Sequence, residues 1–116
     1  MAKGKRRVQR PTKRSEYTLQ HADRSCEVGW NDLCASQRNG CADLFDRLTD
    51  DPTQVDNPDR QHRLKGSLST ATVGGVELDQ WQYEMAKGAR VWYVVDLDSR
   101  TVYLTRVATA NPNQTK

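Results

Sequence analysis

The chain has 116 residues, 35% of them apolar and 28% charged, with a formal net charge of +3. That length gives one domain with one small core and leaves no room for a second. No stretch approaches the roughly 20 apolar residues of a membrane span, and no apolar run follows the basic start, so neither a membrane span nor a secretory signal is expected and the cytoplasm is the expected location. Cys26, Cys34 and Cys41 are odd in number and fall at apolar helical positions, the pattern of reduced core thiols. Two histidines and no paired CxxC give no zinc ligand set, and neither metal nor cofactor is expected.

Charge is distributed unevenly. Residues 1–14 carry seven basic residues and no acid, residues 16–59 carry three basic against ten acidic, and residues 60–116 carry eight basic against five acidic. The C-terminal half is therefore the better surface for a polyanion. Residues 1–15 read as a basic flexible arm able to follow a phosphate backbone, and 16–116 as the folded domain.

Glu16 to His21 alternates around Tyr17 and Leu19 and predicts a short edge or first strand. Asp23 is a candidate N-cap for a helix carrying Cys26, Trp30, Leu33 and Cys34 at helical spacing. Arg38-Asn39-Gly40 reads as a break. Cys41, Leu44, Phe45 and Leu48 then form a second helix that Asp51-Pro52 stops. Thr53 to Gln61 is polar and predicts a surface loop. From Arg63 the period changes to two: a strand to Val73, a Gly74-Gly75 turn, a strand over Leu78 to Met85, a turn at Lys87-Gly88, a strand over Arg90 to Val95, a turn at Asp98-Ser99 and a last strand over Thr101 to Thr109. Helices first and a meander after predict an α+β fold, an N-terminal helical hairpin on one face of an antiparallel sheet with the other face left for function. Alternation puts Arg90, Trp92 and Val94 on one face and Val91, Tyr93 and Val95 on the other, with the Tyr93 hydroxyl reaching a polar rim. His21 and His62 read as ordinary surface residues.

Leu64-Lys65-Gly66, then Trp81-Gln82-Tyr83 followed by Gly88-Ala89-Arg90-Val91-Trp92-Tyr93-Val94-Val95-Asp96, then Val107 to Lys116 resemble, in that order, segments of the RelE/ParE toxin superfamily. With the helical pair, the resemblance covers residues 16–116. It implies the toxin of a type II toxin-antitoxin module, most directly a ribosome-dependent endoribonuclease that cuts mRNA. Its partners would be a cognate antitoxin, the ribosome and mRNA, with no membrane.

In the ribonuclease members the arginine matching Arg90 contacts the scissile phosphate, a role suited to a guanidinium fork. Arg63, Lys65 and Arg106 are candidate RNA contacts, joined by Asn111 and Lys116 through the likeness of the tail, with Trp92 and Tyr93 beside the site. The chain departs from the pattern at Gln82 and Glu84, where lysines are common, and at Ala108 and Ala110, where histidines stand in the compared subset. Two explanations remain open: a protein that binds without cutting, or a variant whose histidines were replaced by alanine. The alternative functions are a ParE-like inhibitor of DNA gyrase and a basic nucleic-acid-binding accessory protein.

Overall fold

In a computed structural model, which describes residues 8–109, the chain forms an α+β fold of two helices and six strands. Strand β1 (Thr18–His21) leads into helices α1 (Arg24–Ser36) and α2 (Arg38–Asp50), and β2 (Gln61–Arg63), β3 (Thr70–Val73), β4 (Val76–Glu84), β5 (Arg90–Asp96) and β6 (Thr101–Ala108) follow. Among the described residues no helix is long and apolar enough to cross a membrane.

The helices start and stop where their sequences supply the chemistry. The Asp23 carboxylate accepts from the Cys26 N–H at 3.0 Å and from the Ser25 hydroxyl at 2.7 Å, capping α1; these bonds hold its carboxyl below the usual range. The break between the helices is one residue earlier than the sequence suggests. Gln37 alone leaves helical geometry; its N–H donates to the Leu33 carbonyl at 2.7 Å and its carbonyl accepts from Cys41 at 2.9 Å, so one residue closes α1 and opens α2. Arg38, Asn39 and Gly40 form the first turn of α2.

Strand order is β1-β6-β5-β4-β2, with β3 also paired to β4. The sheet is mixed, correcting the antiparallel expectation: β1 runs parallel to β6, Thr18 beside Thr101 and His21 beside Leu104, because the helices return the chain to the opposite edge at β2, antiparallel to β1, and β4, β5 and β6 then alternate in direction. The stretch from Arg63 to Val73 is two strands rather than one. Gly66, at φ +66°, interrupts it with a single 3₁₀ turn, so β2 and β3 lie end to end along one edge of β4. Gly74 and Gly75 both take positive φ and make the β3–β4 turn.

The helices cover the face carrying Val91, Tyr93 and Val95, where Cys26 and Leu33 of α1 and Cys41, Leu44 and Leu48 of α2 meet Val102 and Leu104 in one buried cluster. Trp81 stacks on Tyr93 with ring centroids 6.3 Å apart. Gly29 lets α1 press on β6, since a Cβ there would stand 2.7 Å from the Val107 carbonyl oxygen. Gln61, expected in a surface loop, is buried in this layer with Tyr93. The Tyr93 hydroxyl reaches no rim: it donates to the Pro52 carbonyl at 2.9 Å and accepts from Gln61 Nε2 at 2.8 Å, and burial pushes it up to about 12.

Candidate nucleic-acid interface

Register decides which side chains share the face that the helices leave open. Residues directly opposite in neighbouring strands point to the same side of a sheet. Trp92 stands opposite both Gln82 on β4 and Arg106 on β6, and Gln82 in turn stands opposite His62 on β2. One row therefore runs His62, Gln82, Trp92, Arg106. The next row is Glu84, Arg90, Ala108. The Glu84 N–H donates to the Arg60 carbonyl at 2.7 Å, which continues the ladder and adds Arg60 to that row.

Arg106 is on this face because of a β-bulge. Val102 and Leu104 face the helices, and strict alternation would send residue 106 there too. The register shifts between Trp92 and Tyr93, leaving Thr105 as the extra residue, so Val107 turns to the helix side while Arg106 and Ala108 turn to the open side. The Thr105 hydroxyl donates to Gln80 Oε1, and Gln80 Nε2 donates to the Leu68 carbonyl at 2.9 Å, which fixes the bulge against the turn before β3.

The Arg106 guanidinium sits 5.4 Å from the Trp92 ring centroid, and Trp92 Nε1 donates to Gln82 Oε1 at 2.8 Å, so the indole is held from two sides. Ala71, Thr72 and Val73 of β3 close one wall of a cleft of about 540 Å³ whose floor includes Trp92, Thr105 and Arg106. Among the described residues none of Arg60, Arg90 and Arg106 lies within ion-pairing distance of a carboxylate, whereas Arg10, Arg47 and Arg63 do. The Arg60 guanidinium donates to the Glu84 carbonyl at 3.2 Å, and a face with three guanidinium groups outside ion pairs and an oriented indole can hold phosphates and the flat faces of bases.

The sequence-predicted site residues divide accordingly. Arg90, Trp92, Arg106 and Ala108 come together on the open face. Arg63 stands opposite Trp81, on the other side, and is bound to Asp79 at 2.8 Å. Lys65 is exposed at the end of β2, and Tyr93 belongs to the core. Ala110, Asn111 and Lys116 lie outside the described residues. Sequence reading missed two members of the face, Arg60 and His62, and had Glu84 there only as a departure from the family pattern. The two histidines also separate, His62 half-buried on the open face and His21 on the helix side, with its Nδ1 enclosed and unpartnered in a small cavity beside Trp30, Phe45 and Leu104.

Comparison of the chain with protein-family models, with curated proteins and with solved structures gave no match.

Proposed function

We propose that the protein is a toxin of the RelE/ParE type that binds messenger RNA on the ribosome and cuts it. The observation that carries this reading is the open sheet face, on which Arg90 and Arg106 flank Trp92 and Arg60 stands two strands away, all three without ion-pair partners among the described residues. A single strand laid across it would place backbone phosphates on the guanidinium groups and a base against the indole and its neighbouring arginine.

Cutting RNA at a 2'-hydroxyl needs a proton acceptor, a proton donor for the leaving oxygen, and cations for the charge that gathers on the phosphate. Arg90 supplies the cation. Glu84, directly across from it, supplies a carboxylate able to accept a proton. Ala108, on the other flank of Arg90, has no proton to give, where the resemblance implies a histidine. The antitoxin this reading requires is an acidic segment covering the same three arginines.

The test is binding of a fluorescent single-stranded RNA by the parent, Arg90→Ala and Arg106→Ala proteins over a salt series. Each substitution should weaken binding about tenfold and flatten the slope of log affinity against log salt by about 0.7. Equal affinities and slopes in all three would remove the basis of the reading.

A further inference from the structure

We propose that the groove beside Trp81, on the helix side of the sheet, binds a lysine- and arginine-rich peptide segment of another protein. The inference stands apart from the RNA reading, because Trp81 and Trp92 point to opposite faces. The groove encloses about 420 Å³ between the first half of β4 and the turn that joins β5 to β6. No residue of α1 or α2 lines it, so the helix layer stops short at this end and leaves part of the sheet bare.

Its floor is apolar. Trp81, stacked on Tyr93, is only half-buried, and Val95 continues the floor from the edge of the core. Val76 and Leu97 stand at either side, 48% and 64% exposed. Apolar side chains left together at a surface mark a place of contact.

Its rim is acidic. Glu77, Asp79, Asp96 and Asp98 line the groove, and among the described residues no lysine or arginine does, in a chain whose net charge is +3. Asp79 is paired with Arg63 at 2.8 Å. Glu77 accepts from the Thr70 hydroxyl at 2.9 Å and Asp96 from the Asp98 N–H at 3.1 Å, bonds that leave their charges in place.

Floor and rim together define the occupant. The carboxylates repel a phosphate backbone and an acidic peptide alike, so this surface takes neither RNA nor the acidic segment expected on the three arginines. An extended segment in which lysine or arginine alternates with leucine-sized residues fits. Alternation sends its apolar side chains to Trp81 and Val95, and the long basic side chains reach back to the carboxylates. Exposed ion pairs are weak singly and screened by salt, so the apolar floor anchors the segment and the rim selects its charge.

The test titrates the full chain with three short fluorescent peptides, one alternating lysine with leucine, one lysine with serine and one glutamate with leucine. The lysine–leucine peptide should bind about tenfold more tightly than either of the others. Glu77→Gln combined with Asp98→Asn should weaken it about fivefold, and Leu97→Ser about tenfold. All three positions are exposed, so the variants should melt as the parent does. Asp32→Asn combined with Asp43→Asn, which removes the same charge from exposed positions on the helices, should leave binding unchanged. Equal loss in that control, equal binding of the lysine–serine peptide, or unchanged binding in both groove variants overturns the proposal. So do two other occupants: a dimer in sedimentation that Leu97→Ser dissociates would put a second copy there, and a carbodiimide cross-link from Lys3 or Lys5 to the groove within one chain would put the chain's own arm there.

Discussion

Replacing Tyr93 by phenylalanine takes one oxygen atom out of the helix-side core and leaves the open face untouched. The hydroxyl donates to Pro52 O at 2.9 Å and accepts from Gln61 Nε2 at 2.8 Å, both buried. Gln61 Nε2 keeps a second contact to the Pro52 carbonyl at 3.2 Å, so the variant strands one N–H of that amide and halves the partners of one carbonyl. A buried polar group left unpaired costs about 1–3 kcal/mol, and a cost near the middle, about 2 kcal/mol, follows. In a domain of this size that lowers the melting midpoint by roughly 8–15 °C.

The same hydroxyl gives the substitution a second signature. Burial raises Tyr93 to about 12, against an ordinary value near 10. Its folded-state value lies above its unfolded one, so its contribution is complete below pH 10 and is lost as pH rises from about 10 to about 12, a loss of roughly 3 kcal/mol. The parent and Tyr93→Phe proteins, melted from pH 7 to 12 by circular dichroism, should therefore differ by about 2 kcal/mol at neutral pH and converge or cross near pH 12. A variant as stable as the parent at pH 7, or a gap that stays constant to pH 12, would show that the hydroxyl is not held as described.

Gly29→Ala should lower the melting midpoint although alanine favours helices by up to about 1 kcal/mol, because its Cβ would meet the Val107 carbonyl oxygen at 2.7 Å and such overpacking costs about 1–3 kcal/mol; a rise in midpoint would contradict the close approach of α1 to β6. Arg63→Ala should leave RNA affinity within twofold of the parent, since Arg63 faces away from Trp92 and is paired with Asp79, and a tenfold loss in a binding titration would place RNA on the wrong side of the sheet. Ala108→His should speed cutting of messages at least tenfold over the parent, because residue 108 flanks Arg90. No gain would mean that an imidazole beside Arg90 cannot reach the leaving oxygen.

Local pattern carried much of the fold. The spacing of Cys26 and Leu33, and of Cys41, Leu44 and Leu48, gave the buried stripes of both helices, and Asp23, Asp51-Pro52 and Gly74-Gly75 marked their boundaries and the turn because each fixes backbone geometry within a few residues. What failed to appear was set by distant pairing. Nothing near Leu19 announces that its strand lies parallel to β6, and Gln61 looks like a loop residue until Tyr93, 32 positions away, supplies its partner.

The candidate face divided on the same ground. Arg90 and Trp92 were legible from alternation within one strand. Gln82 and Glu84 were named there as departures from the family pattern, and Arg60 and His62 joined them only through the β2–β4 register. Arg106 had a signal in hindsight: after Val102 and Leu104, an arginine followed by Val107 breaks a period of two, which marks a bulge.

Inducing the parent and Arg90→Ala chains in a bacterial host, with RNA 5' ends mapped alongside growth, asks whether the open face takes this protein to messenger RNA. Growth arrest with new 5'-hydroxyl ends inside coding regions is expected for the parent and neither for Arg90→Ala. Arrest by both chains with intact messages and loss of DNA supercoiling would refute the RNA reading and turn attention to gyrase.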